Sequence, residues 1–541
     1  MENDKECQVP RLKKPSTFLE KTDASQPSHQ VAAITPTPPP TPTPTVITFE
    51  DCPKRSPYNW PFHKKFYVFW FALLAVFNSG VGSSLPSNAV PYIVKDFNME
   101  DESQSSLPSG VFLIGYVVGP LIWSPLSETV GRRPVILYTF MCFFLFTLAC
   151  SLAPNWPALL FFRFTAGCFG ASAQTVIGGV YADIFRDRAR GRAMACFGAV
   201  ASFGPIIGPI ISGFASEHGW RWTFWIDLMF AGVTLVGLIF LPGRSFLSWR
   251  MAGANLRPTE TFGPAILKRE AKRLSKISGK EITAPLSYQD KDMKTIFLRP
   301  LYMLVAEPII MFSSMFLAFV YALVFFYFQA YPIIFPEVYG FSIKTTSLAF
   351  LPLGLGAAST GLTAIVWDSI YEKAVSRNKT WFLPFNPEGH RLPISCIGSV
   401  LLSAALFWLA WTATPTVHWI VPVISGFFFG FGYQSIFTSL TIYITDAYKI
   451  YSASALAASV ITRSVLGATL PIAAKPMYAA LGVGWATSLV GFVSLACLPI
   501  PYVLLWKGYL IRERSKFCQM LKNNEDGQSR RNSEAERPEE C

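Results

Sequence analysis

About twelve apolar runs, each near the ~20 residues a helix needs to cross a hydrocarbon layer, follow one another between Phe66 and Trp506. A chain that enters lipid this often must pair its backbone groups within its own helices. The expected fold is therefore all-α and integral to the membrane. The runs centre near Val76, Gly115, Phe144, Ala171, Gly204 and Val233, and then near Ala318, Gly356, Ala404, Phe429, Val465 and Leu495. A polar stretch divides them into two sets of six. The predicted organisation is a disordered cytosolic tail at 1–65, a six-helix half at 66–241, a cytosolic central loop at 242–300, a second six-helix half at 301–506 and a cytosolic tail at 507–541. Within the first tail, the Thr/Pro run from Thr35 to Thr45 suits an extended, solvated tether.

Composition agrees with this reading. Hydrophobic residues make up 51% of the 541 and charged residues 15%, against roughly 25% charged in an ordinary soluble chain. That excludes a disordered chain, a collagen and most soluble enzymes. The net charge of +12 raises nucleic acid as a partner, but the placement of the charge answers it. With both tails cytosolic, about 40 of the 46 Lys and Arg fall on the cytosolic side, the opposite loops hold about four, Lys95, Arg221, Lys344 and Lys475, and Arg163 and Arg463 lie inside spans. Cys142, Cys150, Cys168, Cys196, Cys396 and Cys497 lie in apolar runs without C-x-x-C spacing and read as single thiols. The five histidines are scattered, so no metal site is expected. No nucleotide-binding motif or nucleophile–base pair points to an ATPase or another enzyme. Asn378-Lys379-Thr380 matches a glycosylation acceptor but falls in a loop read as cytosolic, so it is taken as a chance match. In the central loop, Ile266, Leu267, Leu274 and Ile277 around a Lys/Arg-rich stretch fit either an amphipathic surface helix or a solvated connector.

Three motifs carry physical content. Between the second and third spans runs Gly119-Pro-Leu-Ile-Trp-Ser-Pro-Leu-Ser-Glu-Thr-Val-Gly-Arg-Arg-Pro134. Gly131 permits a tight reversal. Glu128 at one helix end, with Arg132 and Arg133 at the next, can form a latch near the membrane surface. The fourth span carries Arg163 in Phe161-Phe-Arg-Phe-Thr-Ala-Gly-Cys-Phe-Gly170. An unpaired charge there costs about 2.5–3.5 kcal/mol on insertion scales, so it marks function or a structural ion pair. The fifth span carries Gly204-Pro205-Ile-Ile-Gly208-Pro209, in which glycines four apart allow close helix approach and prolines remove backbone donors. The loops starting at Asp183 and Asp446 share an aspartate, an aromatic two residues later and a small residue eight later. This weak repeat fits two halves related by duplication. Asp183 and Arg190 join the gating candidates.

These three motifs resemble those of the major facilitator superfamily, most closely the proline-containing form in fungal twelve-span drug:proton antiporters. Asn78–Pro86, Trp220–Trp225 and Leu481–Ala486 match the same branch, and the resemblance runs from about Tyr67 to Phe517. Ser124 replaces a frequent glycine. An extra stretch, Gly243–Pro258, separates Pro242 from Glu260-Thr-Phe-Gly-Pro264. It reads either as an insertion or as an error in the gene model. The resemblance implies pseudo-symmetric halves around a central cavity lined by the first, fourth, seventh and tenth spans. Cavity candidates are Asn78, Ser83, Gln174, Tyr321, Phe325, Gln329, Tyr433 and Gln434. It also implies proton coupling through Arg163 and an antiporter motif in Gly204, Pro205, Gly208 and Pro209, while the in-span acids Asp227 and Glu307 are the carboxylates that could change protonation.

The expected function is proton-driven efflux of amphiphilic organic compounds (drugs, toxins or an endogenous metabolite) by alternating access. The driving force is the proton gradient, with no cofactor. Polyamine export is the alternative, set lower because spans carry few acids. A receptor with a transporter fold is set lower still because the tails are short. The expected partners are a small-molecule substrate, protons and lipid, not nucleic acid. A monomer suffices. The expected location is the plasma membrane, with a vacuolar membrane as the alternative.

Overall fold

In the computed structural model of the protein, residues 45–47, 49, 52–99, 104, 106–240, 260–279, 282–283, 293–377, 389–448, 452–515 and 518–519 are described. The N-terminal half comprises α1 (Phe62–Ser84), α2 (Val90–Asp96), α3 (Leu107–Thr129), α4 (Arg132–Ser151), α5 (Trp156–Ile184), α6 (Asp187–Ala215) and α7 (Arg221–Ile239). A connector helix, α8 (Gly263–Ser278), precedes α9 (Met293–Ala306), α10 (Pro308–Tyr339), α11 (Ile343–Leu348), α12 (Leu351–Ser376), α13 (Leu392–Thr412), α14 (Ile420–Tyr448), α15 (Ser452–Cys497) and α16 (Pro499–Arg514).

Among the described residues, ten helical stretches are long and apolar enough to cross a bilayer. One of them, Ser454–Glu513, is two spans. Gly482 takes φ 72°, which glycine adopts without steric cost, and the chain folds back there. The Tyr478 hydroxyl lies 3.0 Å from Thr487 Oγ1, whereas nine residues of straight helix would separate them by about 13 Å. The helix α5 stands outside the ten because Arg163, Gln174 and its glycines dilute its apolar content. Counting both, the described residues give the twelve expected spans.

The same pairings recur in each half. In the first, α3 packs on α5, α4 on α5, α1 on α6 and α4 on α7. In the second, α12 packs on α14, α13 on α14, α10 on the first arm of α15, and α13 on the second arm and α16. Across the interface, α3 meets α15 and α6 meets α11, α12 and α14. Many large side chains face outward, among them Phe161, Leu362, Val233 and Trp485. Apolar exposure on this scale is stable only against lipid.

Two boundaries differ from expectation. The N-terminal tail holds structure from Thr45. The strand β1 (Thr45–Val46) pairs in parallel with β2 (Ile282–Thr283), and Ile47 N donates to Thr283 O at 3.1 Å. Ile47 and Cys52 bury against Ala271, Leu274 and Ile282. The connector helix therefore turns its apolar stripe to the tail, while Ile277 remains exposed. At the other end, α16 continues past 506 to Arg514. The free cysteines include all six read as single thiols, although Cys196 is exposed rather than buried. The stretch 243–258 and Asn378 lie outside the described residues.

Candidate functional site

The last two turns of α1, Asn78 to Ser84, touch most of the N-terminal half. Ser79 Oγ meets the Tyr116 hydroxyl and donates to Gly170 O at 2.7 Å. Asn78 Nδ2 donates to Thr234 Oγ1 at 2.6 Å, so it braces α7 rather than facing the other half. The chain then reaches Pro86, which has no N–H to offer the Gly82 carbonyl one helical turn back. The Ser87 N–H goes to Ser84 O instead, leaving the carbonyls of Gly82 and Ser83 open. Arg163 fills both, with Nη1 to Gly82 O at 2.8 Å and Nη2 to Ser83 O at 3.4 Å, while its Nε donates to Pro108 O at 3.0 Å. Its Cζ lies 4.3 Å from the Phe112 ring centre and 5.7 Å from Phe224. Arg163 thus caps the negative end of α1's dipole. Hydrogen bonds to a charged group contribute about 1.5–3 kcal/mol each, enough to offset burial of the charge.

Asp227 lies beside this cap. Its Oδ2 packs against Gly82, where a Cβ would come within 3.3 Å of it. Its Oδ1 is buried without a hydrogen-bond partner. It feels the charge of Arg163 but makes no ion pair with it. Arg163 and Asp227 both sit toward the face opposite the Gly131 loop.

The Gly-Pro-x-x-Gly-Pro stretch forms the seam between α6 and α1. A Cβ on Gly204 would lie 3.0 Å from Gly80 Cα, and one on Gly208 3.0 Å from Val81 O. Pro209 cannot donate to Pro205 O one turn back, and Ser84 Oγ takes that acceptor at 2.6 Å. Asn88 Nδ2 reaches Pro209 O at 2.9 Å and, across the interface, Ser347 Oγ at 2.6 Å.

Halfway through the bundle a second arginine, Arg463 on α15, crosses the interface. Its Nη2 donates to Gln174 Oε1 on α5 at 3.4 Å. Its Cζ lies 5.1 Å from the Tyr321 ring centre and 5.0 Å from Phe437, and its Nε is buried without a partner. Tyr433 is close enough to feel its charge, and the Tyr433 hydroxyl reaches Ser202. Phe325 packs on Tyr321 with ring centres 5.1 Å apart. Ser83 reaches Tyr321 and also donates to Gly80 O at 2.6 Å. Gln434 donates to Thr438 on its own helix at 2.9 Å and leaves Oε1 free. Gln329 is 9% exposed. The halves also meet toward both ends. Gly178 approaches Leu456 on the Gly131 side, and Lys344 pairs with Glu217 on the other. The central residues are therefore occluded.

At the Gly131 face, Gly131 has φ +116°. A side chain there would collide with Glu260 Oε2 as well as strain the backbone. Glu260 Oε1 accepts from the backbone N–H groups of Arg132, Thr261 and Phe262 at 2.8, 3.0 and 3.1 Å. Arg132 Nε pairs with Asp183 Oδ2 at 3.3 Å and its Nη1 with Ser127 Oγ at 2.9 Å. The acids that meet the loop are therefore Asp183 and Glu260. Glu128 makes no ion pair among the described residues. The reason is direction: Arg132 turns inward over Gly179 toward α5, away from the half-exposed Glu128. Arg133 instead lines an apolar crevice with Trp60, Val68 and Ile136. Arg190 is half-exposed on α6. Glu307 stands at the N-terminal boundary of α10 and accepts from Tyr448 Oη at 3.0 Å. In the second half, Arg391 pairs with Asp368 at 2.5 Å, the counterpart of Arg132–Asp183. Sequence reading left Glu260 and Tyr116 out of the candidate site and saw Arg463 only as an in-span cation. The position of Arg463 inside an apolar run was the signal available for it.

The sequence model of the Major Facilitator Superfamily matches residues 72–471. The chain is 35% identical to the "MFS-type efflux pump MFS2" of Trichophyton rubrum, over 86% of this chain and 76% of that one. It is 35% identical to the "Major facilitator superfamily multidrug transporter mdrA" of Aspergillus fumigatus, over 87% and 76%. It is 35% identical to the "Ascochitine biosynthesis cluster MFS transporter" of Didymella fabae, over 86% and 88%. Among solved structures, the proton:xylose symporter XylE superposes with a TM-score of 0.59 at 17% identity, covering 83% of this chain and 96% of that one. At that identity the likeness concerns the fold. With the matched family, the twelve spans and the repeated pairings of the two halves, the chain belongs to the major facilitator superfamily and is a multi-pass membrane transporter rather than an enzyme.

Proposed function

We propose that this transporter exports amphiphilic organic compounds in exchange for protons. The halves rock about the central residues so that each face opens in turn. The Gly131 face is cytosolic by its basic loops. The membrane is the plasma membrane, the protein acts as a monomer, and the proton gradient is the only driving force. Export is supported by the relatives named as efflux and multidrug pumps and by the α1–α6 seam.

The observation that carries proton coupling is the buried carboxylate of Asp227, with one oxygen unpartnered. A carboxylate in an apolar site gains by taking a proton. It would load a proton when the outer face opens and release it when Arg163 and water reach it from the inner side. Arg163 would hold the end of α1 against which Asp227 moves. The latch of Arg132, Asp183 and Glu260 would stabilise the state closed at the inner face. Polyamine export is the weaker reading, because the central group is a cation. The test is Asp227→Asn in vesicles from a yeast strain stripped of its own pumps. Protonophore-sensitive efflux of a fluorescent neutral amphiphile should be lost while substrate exchange at equilibrium persists. Undiminished gradient-driven efflux in D227N would remove Asp227 from the mechanism.

A further inference from the structure

The central arginine raises a question of charge. Arg463 is 7% exposed and makes no ion pair among the described residues. Four buried or half-buried acids among the described residues lie elsewhere. Asp227 packs against Gly82, Asp183 holds Arg132, Glu307 accepts from Tyr448 and Asp368 holds Arg391. A buried guanidinium without a counter-ion is costly. One without a partner for its Nε also presents a donor edge matched to two oxygens.

We propose that Arg463 anchors an oxyanion, a carboxylate or enolate, on the exported compound, so that the preferred substrates are organic anions with an aromatic or apolar body. This rests on the exporter reading. The Nε edge of Arg463 takes the anion. Gln174 holds the guanidinium from the other half, so the anion sits where the halves part. Tyr321 and Phe437 lie over the guanidinium, and Phe325 extends that surface. These rings take the apolar body. The bound anion completes the charge that the protein leaves uncompensated, so closure around a loaded site is favoured over closure around an empty one.

The experiment compares naphthoate with its neutral amide, naphthamide, in inside-out vesicles at neutral pH, with purified protein assayed for thermal protection. The parent should move naphthoate at least tenfold faster than naphthamide, and naphthoate alone should raise its melting temperature. Arg463→Gln should bring the two rates within about twofold and abolish the protection. Gln174→Glu, which places a carboxylate beside Arg463, should suppress naphthoate at least tenfold more than naphthamide, and it carries the test should R463Q fail to insert. Equal handling of acid and amide by the parent, or an unchanged preference in both variants, overturns the proposal. If a neutral amphiphile is pumped and naphthoate neither moves nor protects, the anion site fails and the exporter reading stands. If nothing is pumped but naphthoate still protects through Arg463, the exporter reading fails and the anion site stands.

Discussion

Arg163 and Arg463 are both buried in apolar helices, yet they solve the same electrostatic problem in opposite ways. Each nitrogen of Arg163 donates to a backbone carbonyl within its own half. Two of those carbonyls, Gly82 and Ser83, are open because Pro86 interrupts the end of α1. Arg463 has one long hydrogen bond, to the other half, and an empty Nε. The first arginine is bound to the fold. The second is held between the halves with capacity in reserve. In-span charge is therefore not one signal but two, and only the acceptors around it tell them apart.

The largest effect that would break this comparison is loss of the fold on Arg163→Gln. Leaving the carbonyls of Pro108, Gly82 and Ser83 short of donors should cost about 3 kcal/mol or more. Size-exclusion of a fluorescent fusion should show loss of the monodisperse peak. A variant as stable as the parent would free Arg163 for a direct part in coupling. Next is Gly208→Ala. Its Cβ would meet Ser84 Oγ and crowd Val81 O, pushing α1 off α6 and disturbing the same carbonyls. Transport should fall at least tenfold with a smaller loss of melting temperature, and normal transport would show that the seam tolerates a methyl group. Arg463→Gln, by contrast, should melt within a few degrees of the parent, since it removes a charge that the fold does not pair. A collapse like that of R163Q would erase the distinction.

The smallest effect belongs to an exposed arginine. Arg221 Nη1 pairs with Asp96 at 3.1 Å, outside the spans. Hydrogen bonding from Trp220, and then from Arg221, holds the Asp96 carboxyl below its usual value. That contribution is present above the unfolded pKa of about 3.9 and is lost as pH falls through the folded value. R221Q should change stability by under about 1 kcal/mol and flatten its acid dependence. A larger loss in a thermal melt would make Arg221 more than a surface pair.

The spans, the division into halves and the glycine–proline seam were legible in the sequence, because each is written in neighbouring residues. Arg163 was visible as an anomaly, but its role depended on Pro86 far upstream. Glu128 is next to the arginines in sequence, yet Asp183 and Glu260, 51 and 128 residues away from Arg132, are the acids that meet them. Asn78 and Gln174 read alike as polar groups in spans. Only packing separates the one that braces α7 from the one that crosses the interface. The folded tail was missed because its two-residue strand has no pattern of its own and exists only against the connector.

That short strand pair decides which half owns the connector. Glu260 binds the Gly131 loop, Arg269 reaches Val130 O, Arg55 pairs with Glu270 and β2 is tied to β1. Residues 260–283 thus travel with the first half. What joins the halves is the stretch from Thr283 to Met293, with a contour length of roughly 30–35 Å. The connector is less a hinge than a leash, fixed at one end to the first half, and its covalent length limits how far the second half could part from the first at the Gly131 face.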